Sequence, residues 1–217
     1  DGLADGIVAD PIGCQFDPES LRCAGPKVEG CLSGAQVEAL GRAFAGPKDS
    51  KGRQVYPGFL LDTGITATQG IPGLLAGSMN PVGRPFTATD MNVDERAERA
   101  AADPQMQLTT TWGWTNLNTF SSRGGKLIFY HGVSDPWFSA LDTVDYYERM
   151  TRANGGASAV TASSRLFLVP GMGHCGGGSA TLDAFDMLGA VVDWVERQAA
   201  PQAIRATSRT QPGRSRP

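Results

Sequence analysis

Histidine is scarce in this chain: two residues in 217, His131 and His174. Any chemistry that needs an imidazole must use one of them. Cysteine is sparse as well. Four residues are too few for a disulfide-stapled miniature, and the chain is too long to need that device. No apolar run approaches the ~18–20 residues that cross a bilayer, so no membrane partner is expected. The opening DGLADGIVADP has neither the basic nor the apolar region of a secretory leader. Glycine (28) and proline (14) make up under a fifth of the residues, short of the roughly 25–30% of low-complexity chains. With 41% hydrophobic residues, the chain can build a core of one domain, or of one domain and part of a second.

Positive charge is lacking from the body. The net charge is −3, and the last segment, 201–217, holds Arg205, Arg209, Arg214 and Arg216 with no acid. Without it, 15 basic residues face 22 acidic ones. A body that acidic lacks the basic face of a nucleic-acid binder. The segment itself, rich in Pro, Ser, Thr and Arg, reads as a disordered basic tail.

Local patterns divide the rest. Residues 1–34 are turn-rich and hold three of the four cysteines. Ser33-Gly34-Ala35-Gln36 is a capping-box start, and Val37, Leu40 and Phe44 follow at helical spacing until Gly46-Pro47. Residues 47–92 show no sustained period and read as a long looped region. A polar helix is expected over Asp94–Ala102, ended by Asp103-Pro104. Beyond Leu117 the pattern sharpens into a strand at Lys126–His131, a helix at Asp142–Asn154, a strand at Arg165–Val169 and a helix at Thr181–Gln198. That order is a βαβ unit with parallel neighbouring strands, and the class is α/β.

Parallel strands deliver whatever follows them to one sheet edge. After the first strand comes His131-Gly-Val-Ser-Asp135-Pro-Trp137; after the second, Pro170-Gly-Met-Gly-His174-Cys175. Asp135 and His174 thus fall on neighbouring loops, in the chain order of the last two members of an α/β-hydrolase triad. The other reading makes them a turn former and a loop residue. No Gly-x-Ser-x-Gly elbow is present. Ser134 stands on the acid's own loop without the second glycine, and Ser33 fits a helix cap. His131 reads as a packing or hydrogen-bonding residue at a strand end. Gly176–Gly178 is not a phosphate loop, since no Lys-Ser/Thr follows it.

Asp1-Gly-Leu-Ala-Asp5-Gly-Ile7, Asp10-Pro11, Phe16-Asp17-Pro18, Cys31-Leu-Ser-Gly-Ala-Gln36, Gly124-Gly-Lys-Leu-Ile-Phe-Tyr-His-Gly132, Tyr146-Tyr147 and Pro170-Gly-Met-Gly-His-Cys-Gly-Gly177 together resemble the tannase/feruloyl esterase family. The resemblance runs to about Pro201. It implies the C-terminal part of an α/β-hydrolase fold, with part of an inserted lid over residues 1–115, the hydrolase segment over 116–200 and the tail over 201–217. It further implies a secreted or periplasmic serine esterase acting on feruloyl, galloyl and related aryl esters. Asp135 is then the triad acid and His174 the base, and the serine lies upstream of Asp1, in an N-terminal part of the same polypeptide that is the chain's expected partner.

The resemblance also implies a structural calcium in the lid, held by the Asp1 and Asp5 carboxylates and the Leu3 and Ile7 carbonyls, oxygen ligands suited to a hard cation. No organic cofactor is implied. It pairs Cys23 with Cys31 and leaves Cys14 and Cys175 without their family partners, which precede Asp1. Trp137 and Phe138 are candidates to line an aryl pocket or to pack in the core. The chain alone is then expected to be inactive. Two other functions fit the residues: a non-catalytic fragment or aryl-ligand-binding module, and a self-sufficient hydrolase using Ser134.

Overall fold

The computed structural model describes residues 3–66, 92–211 and 213–216. Its first part is mostly irregular. A single 3-10 turn, Pro18–Leu21, precedes helix α1, Gly34–Phe44. Helix α1 begins where its capping box dictates: the Ser33 side chain accepts from the Gln36 amide, and Gln36 accepts from the Ser33 amide. Val37 and Phe44 are its buried face. A second 3-10 turn spans Thr63–Thr66. Helix α2, Val93–Ala102, stops at Asp103, whose carboxylate then caps α3, Pro104–Thr109, with proline in its first turn. The short helix α4, Asn118–Ser122, leads into the sheet.

Strand β1, Leu127–Gly132, and strand β2, Ser164–Val169, pair in parallel with Leu127 opposite Ser164 and Gly132 opposite Val169. Between them run α5, Ala140–Ala153, and the single turn α6, Ala157–Val160. This is the expected βαβ unit. Helix α5 starts two residues before the expected Asp142 because Ser139 caps it, accepting from the Leu141 amide at 3.1 Å. The strand period of two puts successive β1 side chains on opposite faces. Phe129 packs on Tyr146 and Tyr147 of α5, with ring centroids 5.9 and 5.8 Å away, whereas Tyr130 meets Phe185, at 5.3 Å. Met150, Val160, Val169, Met172 and Trp194 are buried around this unit. The guanidinium of Arg165 and the Lys126 amine lie over the Trp194 ring at 4.8 and 5.5 Å.

Two expectations fail downstream. The last helix does not begin at Thr181. Residues Ala184–Phe185 form strand β3, and α7 covers Met187–Arg197, capped by Asp186 through the Gly189 amide. Nor is the basic tail disordered. Strands β4, Ala206–Thr207, and β5, Ser215–Arg216, extend β3 into an antiparallel sheet of order β3-β4-β5. Composition misled here because polar contacts hold the segment. Arg209 donates its amide to Asp183, Arg165 reaches the Pro201 carbonyl, and Arg214 and Arg216 reach Asp5.

Candidate active site

The β1 and β2 ends lie side by side. Beyond the strands, the Val133 amide donates to the Val169 carbonyl and the Ser134 amide to the Met172 carbonyl. Gly132 permits the approach, since a Cβ there would stand 2.5 Å from the Met172 and Gly173 carbonyl oxygens. Asp135 and His174 meet across this junction, with His174 Nδ1 2.8 Å from Asp135 Oδ2. The acid is buried, and its other oxygen accepts from the amides of Trp137 and Phe138 at 2.8 and 3.1 Å. The imidazole is half-exposed, with 46% of its side chain accessible. Trp137 stacks on it at 25° and Phe138 lies 5.4 Å from it, centroid to centroid. Trp137 is partly buried and Phe138 is exposed.

The acid's loop is held by contacts that no local pattern announced. His131 spans it, with Nε2 3.0 Å from the Phe138 carbonyl and Nδ1 2.7 Å from Thr143 Oγ1. A carbonyl only accepts, so His131 Nε2 donates to it. His131 Nε2 is also 3.7 Å from Asp135 Oδ2. Ser139, fully buried, donates its hydroxyl to the Gly58 carbonyl at 2.5 Å and its amide to the Tyr56 phenol at 2.9 Å. Burial, with the Asp142 and Asp135 charges nearby, pushes the Tyr56 phenol up to about 12. Tyr56 therefore stays a neutral hydroxyl.

Ser134 is not poised as a nucleophile. It is buried; its hydroxyl donates to Asp62 Oδ2 at 2.8 Å and accepts from the Gly64 amide at 3.1 Å. Asp62 Oδ2 also accepts from the Gly171 amide at 2.6 Å. Asp62 falls inside the stretch that carried no readable pattern. The one signal it offers is an acid directly after the apolar Phe59-Leu60-Leu61.

The sequence profile of the tannase and feruloyl esterase family matches residues 1–88 and 83–217. The chain belongs to this family. The mono(2-hydroxyethyl) terephthalate hydrolase of Piscinibacter sakaiensis is 40% identical over 261 aligned positions, which cover 97% of this chain and 43% of that protein. Feruloyl esterase B of Aspergillus niger is 31% identical, over 93% of this chain and 43% of its own length. Among solved structures, tannin acyl hydrolase from Aspergillus niger superposes with a TM-score of 0.73 at 23% identity, covering 100% of this chain and 46% of that one. Feruloyl esterase B from Aspergillus oryzae gives 0.72 at 24%, over 99% and 48%. These likenesses establish the α/β-hydrolase fold class. The chain spans less than half the length of each of these four relatives.

Cys23 and Cys31 form a disulfide, and Cys14 and Cys175 are exposed free thiols. Cys175, next to His174, has φ +60°. The expected calcium loop is partly visible; Asp1 lies outside the described residues. Asp5 Oδ1 accepts from the Ile7 amide at 3.0 Å, its Oδ2 pairs with Arg216 at 2.5 Å, and its carbonyl accepts from Arg214 at 2.8 Å. Leu3 is exposed and Ile7 buried. Two guanidinium groups thus stand against Asp5, where a divalent cation needs free oxygen ligands. Among the described residues no cluster of three acids, histidines or cysteines forms a metal site. The visible arrangement does not fit a cation held by Asp5.

Proposed function

We propose that this chain is the acid-and-histidine part of a carboxylic-ester hydrolase acting on esters of aromatic acids, with a serine nucleophile on an upstream part of the same polypeptide. The observation that carries the proposal is the 2.8 Å contact between His174 Nδ1 and a buried carboxylate that two backbone amides already hold. With Nδ1 so engaged, Nε2 is the nitrogen offered to a reacting group. It removes the serine proton as the oxygen attacks the ester carbonyl, then returns that proton to the departing alcohol. A water, deprotonated by the same nitrogen, next attacks the acyl-serine. The serine oxygen leaves with the proton, and the aromatic acid is released. Asp135 keeps the imidazole in the required tautomer and stabilises its cation.

The terephthalate and feruloyl ester hydrolases named above support the aromatic substrate class. Trp137 and Phe138, set against the imidazole, supply an apolar wall for an aryl acid. Residues 1–115 serve as part of a lid over this edge and 116–200 as the hydrolase segment.

Two features support an upstream partner. The parallel sheet holds only two strands among the described residues, too few for an α/β-hydrolase core. On α7, Leu188, Val192 and Val195 form an exposed apolar stripe at helical spacing, Leu188 being 73% accessible. In this reading the exposed, free Cys175 thiol beside His174 bonds a cysteine of that part. The Cys23–Cys31 disulfide favours a secreted or periplasmic setting, and no helix among the described residues is long and apolar enough to cross a membrane.

The test is hydrolysis of methyl ferulate, methyl gallate and mono(2-hydroxyethyl) terephthalate. The expectation is turnover by the polypeptide carrying the upstream part, loss on His174→Ala, and none by this chain alone. Turnover by this chain alone that survives His174→Ala overturns the proposal.

A further inference from the structure

Asp62 lies 73 residues before Asp135 and 112 before His174 in sequence, yet it touches the loops of both. One oxygen, Oδ2, accepts the hydroxyl of Ser134, the residue before Asp135, at 2.8 Å. The same oxygen accepts the amide of Gly171, three residues before His174, at 2.6 Å. Asp62 is 5% accessible, and its second carboxylate oxygen is buried with no hydrogen-bond partner. The surrounding backbone is cut to fit. A Cβ on Gly64 would stand 2.2 Å from Ser134 Oγ, and the Gly64 amide donates to that same oxygen at 3.1 Å. Gly171 holds φ +70°, and a Cβ there would meet the Ala180 carbonyl at 1.9 Å. The 62–64 segment is therefore seated on the acid loop through a glycine that only glycine can fill without a shift.

We propose that Asp62 is a positioning residue that clamps the acid loop to the histidine loop and so sets the Asp135–His174 hydrogen bond. A single acceptor oxygen shared by donors from both loops fixes their separation, which neither strand pairing nor the Asp135–His174 contact does alone. Buried donors without an acceptor are costly, so removal of Asp62 leaves the Ser134 hydroxyl and Gly171 amide to rearrange. What the site needs from residue 62 is an acceptor oxygen at that point; Asn supplies one and Ala does not. The inference rests on the reading of Asp135 and His174 as the catalytic pair, and the test separates the two.

The experiment uses this chain and follows the downfield proton resonance of His174 Nδ1–H, assigned by its loss in Asp135→Asn, with folding checked by circular dichroism. The proposal expects Asp62→Ala to abolish that resonance in a folded chain and Asp62→Asn to retain it. Ser134→Ala, which removes one arm and leaves the carboxylate, should speed exchange of the His174 proton about fivefold, the scale of one hydrogen bond. That variant decides the matter if Asp62→Ala does not fold. An unchanged resonance in folded Asp62→Ala, equal loss in Asp62→Asn, or unchanged exchange in Ser134→Ala overturns the clamp while leaving the pair intact. Absence of the resonance from the unsubstituted chain overturns the pair reading and the clamp with it.

Discussion

His174 Nδ1 and Asp135 Oδ2 stand 2.8 Å apart, and only the acid is buried. Its second oxygen is saturated by the Trp137 and Phe138 amides, so the carboxylate is a fixed acceptor that the half-exposed ring must meet. Asp135 thus orients the His174 ring.

In the polypeptide carrying the upstream part, Asp135→Asn should therefore lower kcat by about 10⁴ while leaving substrate affinity nearly intact, because the ring loses its tautomer control and not its binding wall. Steady-state kcat and KM on an aryl methyl ester check this. A kcat within tenfold of the unsubstituted enzyme removes Asp135 from the acid's role.

His131→Ala leaves the Phe138 carbonyl and the Thr143 hydroxyl without the partners they have now. The expected cost is about 0.5–1.5 kcal/mol of stability, the net worth of an ordinary hydrogen bond, since the Phe138 carbonyl is exposed and Thr143 only part-buried. It should appear as a lower urea midpoint at unchanged slope. No midpoint change means that the 135–138 loop holds its shape without His131.

Burial pushes the Asp183 carboxyl up, but the Gly177 and Arg209 amides and the Arg209 charge outweigh it and hold the group below its ordinary 3.8. A depressed folded value means that the unfolded chain binds the proton more readily. The stabilisation is thus complete above the ordinary aspartate range and is lost as pH falls through the folded value. Asp183→Asn should flatten the acid side of the melting-temperature profile; an unaltered profile contradicts the assignment.

Titration of the unfolded, unreduced chain should find two free thiols, Cys14 and Cys175. Cys23→Ser opens a bridge between residues eight apart, which costs about 2–3 kcal/mol on the chain-entropy estimate. Equilibrium denaturation measures that loss, and a titration that finds no free thiol rules out Cys14 and Cys175 as unpaired cysteines.

Arg216 and Arg214 hold Asp5 in the chain as it stands. Calcium and a chelator should give the same melting temperature, whereas Arg216→Ala should lower it. A rise with calcium in the unsubstituted chain means that the arginines yield to the ion and that a lid cation is present after all.

The legible parts were those whose physics is local. The capping box fixed the start of α1. The apolar runs at 126–131 and 165–169 marked the two strands, and parallel pairing then brought Asp135 and His174 to one edge. The family motifs followed from the same stretches. The helix expected from Thr181 began late because pairing with β4 captured Ala184 and Phe185, a partner no local window contains. The tail was misread because four arginines among polar residues offer no core, while Arg209, Arg214 and Arg216 find acceptors on Asp183 and Asp5, far away in sequence. Asp62 is the extreme case. Its neighbours say only that an acid follows three apolar residues; its role depends on a hydroxyl 72 residues away and an amide 109 away. Short-range periodicity therefore determined which residues would meet at the sheet edge. The tertiary structure alone decided what holds them, because a hydrogen bond needs its two partners within about 3 Å in space and sets no limit on their separation along the chain.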